Sequence, residues 1–280
     1  MSRPQRNTLV FRYRAWQIIM SLSEVFSRAK SENRAALIGY MPAGFPSKDL
    51  TSEIVNAMVE GGVDIVEVGF PYSDPVMDGP VIQQAAEISL RNRTGASDVL
   101  SLVSKIEVPA LVMSYWNPIE KFGVENFVRD LAAVGGVGVI TPDLTIEESS
   151  EWISETNDHE INRVYVVAPS TSDLRLAQVT EACSGFVYAA SLMGVTGART
   201  SVSSVAGELV SRIRKVSQLP IAVGLGVSSA DQAKQVASYA DGVIVGSAFI
   251  KLVLDSKSHQ EALEKVRNLA AELAQGVRRS

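Results

Sequence analysis

The chain alternates short apolar runs with longer stretches in which apolar residues recur every three or four positions. The runs fall at 35–40, 63–68, 109–113, 137–140, 164–168, 185–189, 221–223 and 241–245. Short, mostly apolar runs of this kind suit strands buried in a parallel sheet. Between them, 49–60 places Leu50, Ile54, Val55, Met58 and Val59 on one helical face. Segments 124–134, 147–155, 172–182, 203–216 and 229–238 read the same way. A helix at 23–30 precedes the first strand. Another at 259–275, rich in alanine, leucine and glutamate, follows the last and is expected to pack on the outside.

Strands alternating with helices imply parallel βαβ units, and eight strands is the number that closes a barrel. A length of 280 residues suits a (β/α)8 domain of about 250 residues with extensions. The predicted fold is therefore α/β, a single-domain TIM barrel spanning 21–280 with extra helices at both ends. A doubly wound open sheet is the alternative, but it wants Gly-x-Gly-x-x-Gly after its first strand. Here Tyr40 is followed by Met-Pro-Ala-Gly-Phe-Pro. Residues 1–20 mix Arg3, Arg6, Arg12 and Arg14 with Val10, Phe11, Tyr13 and Trp16, without the pattern of a signal peptide. They read as a flexible extension, with Met20 an alternative start.

Composition narrows the function. A net charge of −5 argues against a general nucleic-acid binder. A single cysteine, Cys183, placed on a helix, permits no internal disulfide and suits a reducing compartment such as the cytoplasm. With only His159 and His259, no His/Cys metal cluster can be assembled, and no metal is predicted. No run approaches the roughly 18 apolar residues of a membrane span.

The densest chemistry lies between Val66 and Pro80. Glu67 sits almost at the C-terminal end of the second strand, Phe-Pro-Tyr-Ser-Asp-Pro stops it, and Asp78 follows on the loop before a helix-like segment. Two carboxylates so placed suit acid–base work on a bound molecule. Taken singly, either also fits a salt bridge or a helix cap. Apolar Val66, Val68 and Phe70 predict a desolvated Glu67 with a raised pKa. Late in the chain, glycine turns 194–197, 224–228 and 246–247 follow successive strands, the last opening a helix at 248–254. Amides exposed in such turns, at the end of a barrel where phosphates usually sit, predict a phosphate-bearing ligand.

With these pieces in place, the sequence from about Ser23 onward resembles the tryptophan synthase α subunit family. The likeness rests on Pro-Ala-Gly-x-Pro (42–46), Glu-Val-Gly-Phe-Pro-Tyr-Ser-Asp-Pro-x-x-Asp-Gly-Pro (67–80), Tyr-x-Asn-Pro (115–118), Gly-Val-Thr-Gly-Ala-Arg (194–199), Gly-x-Gly (224–226) and Val-Gly-Ser-Ala (245–248). The resemblance implies retro-aldol cleavage of indole-3-glycerol phosphate to indole and glyceraldehyde 3-phosphate. It implies Glu67 as the acid/base and Asp78 as the carboxylate that accepts the indole N–H. Tyr188, at the end of strand six, would lie near the glycerol, and Tyr40, Met113 and Leu225 would line the indole slot. Gly197, Gly226, Gly246 and Ser247 would hold the phosphate, and Thr196 would orient Asp78. The resemblance implies no cofactor in this chain. It further implies a pyridoxal-phosphate β subunit as partner in an α2β2 complex, touched by Asp74, Pro75 and Asn117. The chain departs from the family at Leu225, where phenylalanine is usual, and at Thr145, where Asp143-Leu is followed by threonine rather than proline, which predicts a looser loop.

The chemistry agrees with what the strand ends lack. A retro-aldol step usually needs a lysine Schiff base or a Lewis-acid metal as electron sink. No lysine falls at a proposed strand end, and an indole protonated at C3 is its own sink. Three rivals remain at this level: a stand-alone lyase releasing indole, another phosphate-binding barrel using a lysine or cysteine, and a silent scaffold that only activates a partner.

Overall fold

A computed structural model describes residues 20–190, 199–224 and 226–279, with the backbone alone for 199–204. Eight strands, β1 (Ala36–Pro42), β2 (Ile65–Gly69), β3 (Ala110–Met113), β4 (Gly138–Thr141), β5 (Asn162–Val167), β6 (Val187–Ala190), β7 (Ile221–Gly224) and β8 (Gly242–Val245), pair in order into a closed barrel. Neighbours run parallel throughout, and Ala36–Gly39 of β1 closes the ring on Gly242–Val245 of β8. Each predicted apolar run became a strand, with ends displaced by one or two residues.

The first helices are α1 (Leu22–Ser31), α2 (Lys48–Glu60), α3 (Pro80–Arg91), α4 (Ala96–Val103), α5 (Trp116–Phe122) and α6 (Val124–Ala133). They are followed by α7 (Ser150–Asp158), α8 (Asp173–Ala182), α9 (Arg199–Ile213), α10 (Ala230–Ala237), α11 (Ser247–Leu254) and α12 (His259–Gly276). The predicted helix at 147–155 divides into a 3-10 turn at 146–148 and α7. Cys183 lies just past the end of α8 rather than within it, buried, and burial pushes its thiol up to about 11. No helix among the described residues is long and apolar enough to cross a membrane.

Strand alternation builds two cores. Outward residues such as Leu37, Val66, Val68, Val112, Val139, Val223 and Val243 pack under the helices. Inward residues Ala36, Ile38, Ile65, Leu111, Ile140, Val164, Ala222 and Ile244 fill the lower barrel. Helix α1 closes that end. Ser21 and Glu24 form its capping box, and Leu22, Val25, Phe26 and Ala29, at helical spacing, all face the barrel. Phe26 meets Phe186 at a ring separation of 5.7 Å. Fully burying each of the larger side chains contributes about 1.5–3 kcal/mol.

Buried Asp64 fixes the entry to β2. It accepts from Arg34 Nη1 at 2.6 Å and Nη2 at 2.9 Å, and from the Leu37 amide at 2.9 Å. Outside the barrel α12 packs on α2, α10 and α11. There Gly61 is required by close approach: a Cβ on it would stand 2.6 Å from the Arg267 carbonyl oxygen.

Candidate active site

Because side chains alternate along a strand, Ile65 and Glu67 share the inward face of β2. In register, Glu67 lies between Tyr40 of β1 and Leu111 of β3. Its exposure is 0%, and neither carboxyl oxygen has a hydrogen-bond partner among the described residues. Burial raises its pKa to about 8. The predicted direction holds, but the predicted cause needs correction. Val66 and Val68 point outward beneath the helices, and Phe70 stacks on Phe127 in that same outer layer. The apolar surroundings of Glu67 come from the barrel interior instead.

Asp78 reaches the mouth of the barrel from the loop after β2. That loop is internally tied: the Asp78 amide donates to the Pro75 carbonyl at 3.0 Å, and Gln83 Nε2 donates to the Asp78 carbonyl at 2.9 Å. Partial burial raises the carboxyl to about 6, against the opposing effect of a hydrogen bond from Tyr115. Near pH 7, then, Glu67 holds its proton and Asp78 has lost its own. One group can give a proton while the other accepts a hydrogen bond as an anion.

Tyr40 and Tyr188 share this field. Burial lifts both hydroxyls well above the ordinary phenol value, and the charges of Glu67 and Asp78 add to the effect at each. Glycines make room for the rings. A Cβ on Gly69 would lie 2.3 Å from the Tyr40 hydroxyl, and one on Gly224 would lie 2.6 Å from that of Tyr188. Tyr40 also flanks Gly246, so its ring spans from the end of β8 to the end of β2. Tyr188 is the second residue of β6 rather than its last, yet its hydroxyl reaches the end of β7. Met113 ends β3, half-buried, with its carbonyl accepting from Phe70 N at 2.8 Å.

Beside this pair, α11 opens at Gly246 with no side-chain cap, unlike α2, α8, α10 and α12, whose serine caps accept from their first turns. The first-turn amides after Ser247 therefore remain suited to an anion. Gly226, at φ +69 with open space where a Cβ would stand, adds a backbone suited to close approach. Thr196, Gly197 and Leu225 lie outside the described residues.

The three residues expected to meet a partner sit on two adjoining segments. Asp74 is exposed and accepts from Ser73 Oγ at 2.6 Å, Pro75 carries the carbonyl that turns the loop, and Asn117 lies in the first turn of α5. The loop at Thr145 is tied by hydrogen bonds. Thr145 Oγ1 donates to Glu148 at 3.3 Å, its carbonyl accepts from Ser149 Oγ at 2.5 Å, and Asp143 accepts the Trp116 amide at 2.9 Å. Two residues beside Asp78 were not predicted, Tyr72 and Tyr115; each lies within a motif noted above, 67–80 and 115–118, but nothing local shows that the two rings meet.

An eight-stranded closed parallel barrel, with a buried carboxyl on β2 and a second on the loop that follows it, has the architecture of a (β/α)8 enzyme. The family model for the tryptophan synthase alpha chain matches residues 26–278. Curated tryptophan synthase alpha chains from Thermobifida fusca and Streptomyces avermitilis are 56% and 54% identical, over 92% of this chain and 97% and 94% of theirs. Among solved structures, tryptophan synthase from M. tuberculosis in its aminoacrylate-bound form aligns with a TM-score of 0.85 at 46% identity, covering 92% of this chain and 100% of that one. The chain belongs to the tryptophan synthase alpha chain family, and is a lyase of tryptophan biosynthesis.

Proposed function

We propose that Glu67 and Asp78 carry the retro-aldol cleavage of indole-3-glycerol phosphate to indole and glyceraldehyde 3-phosphate. Protonated Glu67 gives its proton to indole C3, and the ring nitrogen takes up the positive charge of the resulting indolenine. Asp78, ionised, accepts the ring N–H and stabilises that charge. Glu67, now a carboxylate, removes the proton of the hydroxyl on the carbon attached to C3. The O–H electrons form the aldehyde carbonyl, the bond to C3 breaks, and its electrons restore the neutral indole. The proton count closes with Glu67 protonated again, and the indole ring serves as the electron sink.

In this reading the phosphate sits on the amides of Gly226, Gly246 and Ser247, joined by Gly197. Tyr40, Met113 and Leu225 hold the indole, Tyr188 stands near the glycerol, and Thr196 orients Asp78. The observation that carries the reading is Glu67 itself. A fully buried carboxyl without a hydrogen-bond partner is costly to keep unless chemistry requires it.

A β subunit is the partner, docking on the rim that carries Asp74, Pro75 and Asn117. Val76 and Met77, exposed at 81% and 58%, give the same loop an apolar tip of the kind that partners cover. The test is to incubate the purified chain with indole-3-glycerol phosphate and assay indole, with and without the β subunit. Glu67→Gln should lower release at least about a hundredfold in both. A Gln variant that still forms indole at the wild-type rate would refute the assignment.

A further inference from the structure

The Asp78 carboxylate is met by one side-chain donor among the described residues, the hydroxyl of buried Tyr115. That hydroxyl accepts the Met77 amide at 2.9 Å, so its own hydrogen is left to point elsewhere, and Asp78 Oδ2 lies 3.4 Å away. The contact is long for O–H···O⁻, which settles near 2.5–2.7 Å when well made, so the loop has room to draw the carboxylate in. Tyr115 is a fixed post. It caps α5, whose first amide is held by Asp143 and whose Ile119 is fully buried. Against its ring, at 5.1 Å between centroids, lies Tyr72 at the start of the same loop, and the Tyr72 hydroxyl accepts from Asn117 Nδ2 at 3.2 Å.

We propose that Tyr72 and Tyr115 are positioning residues, a two-ring linkage that sets Asp78 and passes to it any displacement of Asn117. The inference rests on the role given to Asp78 above and goes beyond it. A partner that engages Asn117 competes with, or tightens, its bond to Tyr72. The rings move as a packed pair, and the Tyr115 hydroxyl then meets the carboxylate at a changed distance. A donor on the carboxylate favours its ionised form, the one that receives the indole N–H.

The test uses the full chain and indole-3-glycerol phosphate, from pH 5 to 9, alone and with saturating β subunit. Tyr115→Phe is expected to lower kcat about tenfold with KM changed less than about twofold, the loss that one hydrogen bond to an ionised group supports. Its acid limb should move to higher pH. Tyr72→Phe is expected to lower kcat about threefold, and the double variant should be no worse than Tyr115→Phe, since linked residues are non-additive. Losses that multiply, or an acid limb unmoved in Tyr115→Phe, overturn the proposal. Should Tyr115→Phe fail to fold, Asn117→Ala and Tyr72→Phe break one bond from its two sides, and their double variant must match each single one. Asp78→Asn separates the two readings. If it is inactive while the phenylalanine variants are normal, the linkage alone fails. If it retains full activity, the role of Asp78 fails first.

Discussion

A buried glutamic acid without a partner lowers the stability of the fold that holds it, and the pH dependence of that cost is calculable. Below pH 4.5 the carboxyl is protonated both folded and unfolded. Between 4.5 and 8 the unfolded chain loses the proton while the native state keeps it, so stability falls as pH rises. Relative to Glu67→Gln, the wild type should lose on the order of 3 kcal/mol between pH 4.5 and 7, read from urea unfolding at each pH. Parallel curves for the two proteins would remove the claim. The same residues set the rate profile: with Asp78 near 6 and Glu67 near 8, turnover should peak around neutrality and decline on both sides. In kcat, Glu67→Gln should cost at least about a hundredfold. The strand that carries Glu67 and the loop that carries Asp78 were legible in the sequence because an apolar run and a proline-bounded loop are local features, although Glu67 is the third of five residues in β2 rather than near its end. The neighbours of Glu67 were not, since adjacent residues on a strand face opposite layers. Tyr72 and Tyr115 act through contacts 37 to 45 positions apart, which no local pattern reveals.

Among elements, α1 and α11 matter most to the site, and for opposite reasons. Helix α1 supports it from below through apolar packing, so Phe26→Ala should destabilise by about 3–5 kcal/mol in thermal or urea unfolding while leaving KM within about twofold. In the proposed reading, helix α11 offers its N-terminus to the phosphate. Gly226→Ala, at φ +69 in the turn after β7, should instead raise KM for the phosphate substrate with a loss of only about 1 kcal/mol in stability, since open space surrounds the new methyl. Inorganic phosphate should compete with substrate in the wild type and less well in that variant. The alternation that predicted these helices is strong where a helix spans three turns or more. Helices α4 and α5, with 8 and 7 residues, were both missed, although α10 and α11, also of 8 residues, were predicted.

At the level of the whole molecule, barrel closure was legible because eight apolar runs admit few other parallel arrangements. The rim was legible only in part, since the pairing of Tyr72 with Tyr115 joins loops far apart in the sequence. The rim also carries the prediction that belongs to this scale. Adding the β subunit should raise turnover, and Asp74→Ala should diminish that gain more than it diminishes activity in the isolated chain. Titrating β subunit against indole release measures both, and equal turnover with and without it would sink the coupling. One consequence follows from the way α1 seats Leu22, Val25 and Phe26 against the base of the barrel. A vessel stoppered at its foot empties only over its lip. On the proposed reaction, the newly freed heterocycle leaves by the upper mouth of the barrel, on the side that the loop with exposed Val76 and Met77 helps to border.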